Sequence, residues 1–301
     1  MLLRMGQRAA GETAMFDLSP VYDFVGRLLP FSVMQARFMR QAMTGLLLIA
    51  PMAAAMGVQV INFRMAFFAD AISHSAFAGV ALGLIFAVSP QWTMPLFGLF
   101  VGLAIVFMQR RSALSTDTVI GVIFAAVMAF GLAIVSRDVS VARDLQRFLY
   151  GDILTIDDAG IISLAVLGFG VLLLQIWGYN RLLYLGLNPV VAQAHRVYVA
   201  GYQFVFAGLT ALVVMFSVWA VGVLLVTALL IVPAAAARGF ARSAGSMFWW
   251  SLLVGVTSAV AGLLISAQSW ARTATGPTIV LCAFVWFIAS QIVAVIRRQG
   301  R

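Results

Sequence analysis

The sequence of 301 residues contains no lysine and a single cysteine, and only 10% of its residues are charged. Without lysine it cannot form a phosphate-binding GxxxxGK[ST] loop, so an ATP-driven process would need an ATPase site on another polypeptide. One cysteine, Cys282, excludes an internal disulfide framework. The scarcity of charge separates the chain from soluble domains, in which about 25% of residues are charged.

Apolar side chains are abundant and make up 63% of the residues. Nine apolar runs come close to the length of about 20 helical residues that crosses a bilayer. They lie at 42–61, 67–88, 91–108, 118–136, 159–177, 201–219, 222–237, 247–267 and 277–296. The run at 222–237 is short and contains Pro233, which favours a broken or re-entrant helix. The sequence therefore predicts an all-α, polytopic transmembrane helix bundle with eight or nine spans.

The runs divide the chain into three regions. Residues 1–41 form an N-terminal tail, and the stretch 21–43 has the pattern of an amphipathic helix at the membrane interface. Residues 42–296 form the membrane domain, and residues 297–301 form a short C-terminal tail. Within the membrane domain, Gly79 and Gly83 have the spacing that allows two helices to pack closely.

The net charge of +9 comes entirely from arginine. Because the arginines lie between apolar runs, they indicate membrane topology and contact with lipid headgroups rather than binding to nucleic acid. With nine spans and the acid-containing tail set aside, ten arginines lie on one side (Arg64, Arg110, Arg111, Arg181, Arg196, Arg238, Arg242, Arg297, Arg298, Arg301) and four on the other (Arg137, Arg143, Arg147, Arg272). Cytoplasmic loops are rich in arginine, so we expect the C-terminus inside and the N-terminus outside.

Asp70 is the one charged residue that falls inside a predicted span, and His74 follows it by four positions. Residues at i and i+4 lie on the same face of a helix, so an oxygen and an imidazole nitrogen can reach a common point. An intramembrane carboxylate is costly and marks a functional site by default. Carboxylate and imidazole together suit Zn²⁺, Mn²⁺ or Fe²⁺. Ser73 and Ser75 flank the pair and can support it with hydrogen bonds.

The same pair allows a purely structural reading, in which Asp70 and His74 bond to each other or to a neighbouring helix. Two ligands are fewer than the four of a closed zinc site, although a transport site must also release its ion. Backbone carbonyls or a second copy of the chain can supply further ligands. The other histidine, His195, lies in a polar segment, where a solvated loop histidine is the simplest interpretation.

Four stretches in this order resemble the permeases of ABC importers for zinc, manganese and iron, and most closely the zinc-type members. They are NFRMAFFADAISHSAFAG at 62–79, STDTVIG at 115–121, LYGDIL at 149–154 and VGVLLVTALLIVPAA at 221–235. A Gly-Pro element at 276–277 also matches. The resemblance covers about residues 42–296 and carries the metal-ligand role onto Asp70 and His74.

The resemblance implies a type II-like ABC importer permease in a bacterial inner membrane, with no ATPase site and no permanently bound cofactor. Its partners would be a second copy of the chain, two cytoplasmic ATP-binding subunits, and a periplasmic or lipid-anchored protein that delivers the metal. By the same likeness, the segment around 188–197 is the cytoplasmic coupling helix that docks into the ATPase. Its candidate residues are Asn188, Pro189, Ala192, His195 and Arg196.

Three other functions fit the composition less well. A permease for iron-siderophore or vitamin B12 uptake has the same fold, but its bulky ligand needs no intramembrane ligand pair. An intramembrane metalloenzyme needs about three protein ligands and a general base, and one acid with one histidine cannot supply them. A receptor or structural membrane protein stays open as an alternative, and co-purification with an ATPase would distinguish a transporter from both non-transport functions.

Overall fold

The computed structural model of the chain describes residues 18–29, 31–136 and 153–299. Within these ranges all regular structure is helical. The α-helices are α1 (Ser19–Leu28), α2 (Arg37–Asn62), α3 (Phe68–Ile85), α4 (Pro90–Arg111), α5 (Thr116–Val135), α6 (Asp158–Leu187), α7 (Pro189–Ala194), α8 (Val199–Val221), α9 (Val223–Phe240), α10 (Ala244–Ser266) and α11 (Thr275–Gln299). Two 3-10 turns, Ser32–Gln35 and Ile153–Thr155, precede α2 and α6.

Eight of the described helices are long and apolar enough to cross a membrane. They are the helices from α2 to α11 with the exception of α3 and the short α7. Helix α3 has 18 residues and packs inside the bundle against α4, α5, α8 and α9. Each of the nine predicted runs corresponds to one helix, and the prediction of a polytopic helical bundle is confirmed.

The N-terminal region differs in detail from the predicted amphipathic helix at 21–43. The structure divides that stretch into α1, the turn Ser32–Gln35 and the beginning of α2, which starts at Arg37 rather than at position 42. Residues 1–17 and 30 of the predicted tail lie outside the described residues. The same holds for 137–152, which includes most of the LYGDIL stretch and Arg137, Arg143 and Arg147, and for the last two residues of the chain.

Helix α1 is held against the bundle by polar contacts at one end of α6. The Tyr22 hydroxyl donates to the Asp158 carboxylate at 2.6 Å, and the Gln41 amide donates to the same oxygen at 2.9 Å. Burial, together with the Asp158 contact, raises the pKa of Tyr22 to about 12. Tyr22 therefore remains a protonated donor at neutral pH, and the contact would weaken only above pH 10, as the ring titrates.

Close backbone contacts bring α2 into the centre of the bundle. A Cβ atom on Gly57 would lie only 1.8 Å from the carbonyl oxygen of Leu230, so only glycine allows α2 and α9 to approach this closely. Gly79 and Gly83 serve the α3–α4 contact in the same way. A Cβ on Gly79 would lie 2.8 Å from the Cα of Met94, and one on Gly83 would lie 2.5 Å from the hydroxyl of Thr93.

The interruption expected near Pro233 lies at Gly222 instead. Helix α9 is continuous through Pro233, whereas Gly222 alone separates α8 from α9 and has φ 84° and ψ 164°. This backbone region is populated almost exclusively by glycine. Gly222 and its two valine neighbours are buried, so the chain changes direction inside the protein rather than in an exposed loop.

One end of the bundle, called here the Arg64 end, contains most of the arginine-bearing connections within the described residues. A cavity of about 400 Å³ at this end is lined by residues from five connections and helices: Asn62, Phe63, Arg64, Met65, Val106, Gln109, Thr116, Leu185, Gly186, Leu187, Asn188, Gln203 and Phe206. Arg110 donates to the Gln203 side chain at 2.6 Å across the same end. The C-terminal ends of α9 and α11 also meet, where Arg297 donates to the carbonyl of Phe240 at 2.9 Å.

Candidate functional site

Asp70 lies in the first turn of α3, and His74 lies one turn further along the helix. Between positions 68 and 81 of α3, the partly exposed residues are Asp70, His74 and Phe77, and all others are buried. Their spacing of four and then three residues is that of a single helical face. The pair predicted from the sequence therefore does share one face, and that face is the part of α3 left open by its neighbours.

Helix α9 approaches this face and contributes Thr227, whose hydroxyl lies near the Asp70 carboxylate and donates to the carbonyls of Val223 and Leu224 on its own helix at 3.3 Å. Thr227 precedes Arg238 by eleven residues, which is about 16 Å along a helix. Asp70 therefore lies beside a part of α9 that is about three helical turns from Arg238, although it stands near the beginning of its own helix. Two features reduce the cost of the carboxylate there: the N-terminal end of α3, which favours negative charge, and the hydroxyl of Thr227.

The His74 ring has aromatic neighbours and an unused nitrogen. Its centroid lies 5.6 Å from that of Phe77 and 5.4 Å from that of Phe124 on α5, the second in an edge-on arrangement. The buried Nδ1 atom has no hydrogen-bond partner among the described residues. A buried imidazole nitrogen without a partner is an uncommon feature, because most buried polar atoms are bonded. In this structure the hydrogen-bonding capacity of Nδ1 is therefore unused.

The two serines beside the pair differ in their surroundings. The Ser75 hydroxyl donates to the carbonyl of Ile72 on the same helix at 2.6 Å, so in this structure it bonds to neither Asp70 nor His74. The Ser73 hydroxyl is fully buried and has no partner within the described residues. A supporting role for either serine stays a prediction.

Asp70 and His74 supply one oxygen and one nitrogen donor, and Thr227 adds a neutral oxygen. Within the described ranges, no three His, Cys, Asp or Glu residues come together as a possible metal site. A closed structural site needs about four ligands, so the arrangement does not resemble one.

The predicted coupling segment forms the short helix α7 at the Arg64 end. The Asn188 side chain caps it and accepts a hydrogen bond from the backbone N–H of Val190 at 2.8 Å, and Pro189 is its first residue. Ala192 is fully buried against Leu185 and Val199. The helix thus has one face packed on the bundle.

Beyond α7, two of the predicted coupling residues form the turn to α8. The exposed ring of His195 stacks on Tyr184 with the centroids 4.9 Å apart and the planes 15° apart. Arg196 has φ 56°, which places it in the left-handed region. On the outer side of α7, Val190 is 71% exposed, and Val191 and Leu187 are exposed as well. These apolar side chains form a surface that the described part of the chain does not cover.

Sequence reasoning missed Thr227 and Phe124 as site residues. Thr227 lies in the VGVLLVTALLIVPAA stretch, which the resemblance brought out as a whole, but no spacing rule connects it with a residue more than 150 positions earlier. Phe124 lies in an apolar run without any distinguishing mark. Both join the site only because α9 and α5 pack against α3.

Comparisons with known proteins identify the family to which the chain belongs. The model of the ABC 3 transport family matches residues 35–294. The high-affinity zinc uptake system membrane protein ZnuB of Haemophilus influenzae is 35% identical over 82% of this chain and 94% of its own length. The manganese import system permease protein ScaB of Streptococcus parasanguinis is 32% identical over 89% of this chain and 94% of its own length.

A solved structure, PsaBC from Streptococcus pneumoniae in complex with Fab, has 30% sequence identity and a TM-score of 0.72. The alignment covers 90% of this chain and 95% of the chain in that structure. The family model, the relatives and the fold agree over nearly the whole membrane domain. The chain belongs to the ABC 3 transport family.

Proposed function

We propose that the chain is the permease subunit of an ABC importer that carries a divalent transition metal ion into the cytoplasm. The observation that carries the proposal is the pair Asp70 and His74 on one open helical face at membrane depth. Membership of an ABC transport family supports transport rather than catalysis. The relatives named for zinc and manganese uptake support a metal ion as cargo.

Zinc is the favoured ion, with manganese and iron as the other candidates. The paired donors are a carboxylate oxygen and an imidazole nitrogen, which all three ions accept. The imidazole favours zinc over manganese, whose preferred ligands are carboxylate and carbonyl oxygens. The aromatic rings of Phe77 and Phe124 beside His74 leave little space for a bulky chelate and thus favour a bare ion.

The Arg64 end is the cytoplasmic end in this proposal. Arg64, Arg110 and Arg111 lie at this end, as the positive-inside rule requires. An ion released from Asp70 would leave through the cavity that the residues just before α3 line. The C-terminus then lies inside and the N-terminus outside, so a protein that delivers the metal would dock near α1.

Energy for transport would come from two copies of a separate ATP-binding subunit, because this chain has no lysine for a phosphate-binding loop. Helix α7 is the proposed contact, since its outer apolar face is exposed at the cytoplasmic end. Its N-cap Asn188 and the residues preceding α3 line the same cavity. A displacement of α7 would therefore reach the beginning of the helix that carries Asp70. A second copy of the chain completes the assembly.

Uptake of radioactive zinc and manganese by cells that lack their own high-affinity importer tests this proposal. The chain is expressed with its ATPase and binding protein, and uptake is measured for the wild type, Asp70→Asn and His74→Ala. We expect uptake of the transported metal to fall to background in both variants, with normal amounts of protein in the membrane. Asp23→Asn is the matched control, because Asp23 is an exposed carboxylate on α1 that pairs with Arg40 at 2.5 Å, and it should retain uptake. Wild-type uptake by either site variant would overturn the assignment of the pair.

A further inference from the structure

A groove between α6 and α8 is separate from the metal site and has no role in the function proposed above. It has a volume of about 420 Å³, and its lining is almost entirely apolar. Glycine and aromatic residues dominate its wall: Gly170, Trp177, Gly178, Tyr198, Gly201 and Tyr202. Both helices meet the criteria for membrane spans, so in a bilayer this exposed groove would face the hydrocarbon.

The shape of the groove fits an extended chain better than a compact molecule. On α6 the groove runs from Gly170 to Gly178, eight residues and about 12 Å, and on α8 from Tyr198 to Leu209, eleven residues and about 16 Å. Two glycines make the groove deep, because they carry no side chain to fill it. A Cβ atom at Gly178 would lie 3.1 Å from Leu174, and one at Gly201 would lie 2.4 Å from the ring of Tyr198.

A positive charge stands at the end of the groove that is nearer to α7. Arg181 follows Gly178 by three residues on α6, and its guanidinium lies over the ring of Tyr202, 5.5 Å from the centroid. It also donates to the Tyr202 hydroxyl. The salt bridges within the described residues involve Arg37 and Arg40 but not Arg181. Because a guanidinium has five N–H donors, Arg181 retains donors for a phosphate.

Two strongly exposed aromatic residues lie at the same end of the groove as Arg181. Trp177 is 74% exposed and Tyr198 is 74% exposed, and such residues lie preferentially where hydrocarbon meets headgroups. The groove therefore combines an apolar channel within the bilayer, an aromatic pair at the interface and an arginine just beyond it. This is the order of parts in a phospholipid: acyl chain, glycerol and phosphate.

We propose that this groove binds one anionic phospholipid, with an acyl chain between α6 and α8 and the headgroup phosphate at Arg181. Basic sites between membrane helices on the cytoplasmic side bind anionic headgroups in the same manner. Tyr202 also belongs to the cluster that seats the buried face of α7. The bound lipid thus supports the wall on which α7 rests.

Native mass spectrometry of the purified full-length chain tests the proposal, with dioleoylphosphatidylglycerol and dioleoylphosphatidylcholine offered together. We expect the wild type to retain one phosphatidylglycerol about fivefold more than phosphatidylcholine, as expected from about 1 kcal/mol per arginine at an anionic headgroup. Arg181→Gln should abolish that preference. Val205→Trp, at a lining position that is 56% exposed, should abolish retention of both lipids by filling the groove.

Two control variants carry the same changes outside the groove. Arg297→Gln removes an arginine at the same end of the bundle, and Val295→Trp adds the same bulk on α11, where Val295 is 52% exposed. Both should retain phosphatidylglycerol as the wild type does. Equal retention of the two lipids by the wild type, or an unchanged preference in Arg181→Gln, would overturn the proposal. So would a change in oligomeric state caused by Val205→Trp, because the groove would then bind another copy of the chain.

Discussion

At the scale of single residues, the site depends on how the protein tolerates Asp70 at membrane depth. A carboxylate there costs several kcal/mol on insertion scales. The first turn of α3 and the Thr227 hydroxyl offset part of this cost, and neither is a full counter-charge. A divalent cation would supply that counter-charge, which explains in physical terms why an ion would pause at this position.

Thr227→Val tests the contribution of the hydroxyl, since valine keeps the shape of the side chain and removes the oxygen. We expect the apparent KM for metal uptake to rise about fivefold, the effect of one hydrogen bond worth about 1 kcal/mol. Thr257→Val is the matched control, because the Thr257 hydroxyl donates to backbone carbonyls of its own helix, as that of Thr227 does, but is not a neighbour of Asp70. An unchanged KM in Thr227→Val would show that the Thr227 hydroxyl makes no contribution to metal binding at Asp70.

The pairing of Asp70 with His74 could be predicted from the sequence, because it depends only on the geometry of one helix. The face shared by Asp70 and His74 follows from a separation of four residues on one helix. Thr227 and Phe124 could not be predicted, because their positions depend on how α9 and α5 pack against α3. The surroundings of Ser73 and Ser75 were also unpredictable, since a helical serine can donate to its own backbone, as Ser75 does.

At the scale of secondary-structure elements, apolar length predicted the helices but not their ends. Residues 159–177 were predicted as a span, whereas α6 continues to Leu187. The polar residues after Trp177 resemble a loop in sequence, but backbone hydrogen bonding carries the helix beyond the hydrocarbon. The break before α9 is a related case. A proline in an apolar run predicts a helix break, and Pro233 was therefore the expected position. The helix is interrupted at Gly222 instead, and a single glycine in an apolar run does not predict a break.

Helix α7 is an element whose two faces should respond differently to the same substitution. Val190 is 71% exposed, and Ala192 is fully buried. We expect Val190→Asp to leave the melting temperature unchanged and to reduce metal-stimulated ATP hydrolysis by the reconstituted transporter, because the charge lies where the ATPase would dock. Ala192→Asp should instead lower the melting temperature, because it buries an unpaired carboxylate.

Leu114→Asp is the control for these α7 variants, since Leu114 is an exposed apolar residue in the connection between α4 and α5. It should keep both stability and stimulated hydrolysis. Wild-type stimulation in Val190→Asp would remove α7 from the coupling role. Thermal stability is measured in detergent for all three variants.

At the scale of the whole molecule, the features described above lie at different levels along the long axis of the bundle. The Arg64 end carries α7, the cavity and the arginine-rich connections, whereas α1 and its contacts with Asp158 lie at the opposite end. Asp70 and His74 lie between these ends on α3. The division of the connections between the two ends was predictable in outline, because the number and length of apolar runs define the spans. The end that faces the cytoplasm stays a prediction from arginine placement. The convergence of five segments on one cavity was not predictable, because it is a property of the packed structure.

The most direct test of the central claim is a zinc K-edge X-ray absorption spectrum of the purified full-length chain, prepared with an affinity tag free of histidine. The chain has two histidines, so imidazole scattering from bound zinc has only two possible sources. We predict nitrogen and oxygen neighbours at about 2.0–2.2 Å, and imidazole scattering that disappears in His74→Gln and remains in His195→Gln. Imidazole scattering that persists in His74→Gln would contradict the account.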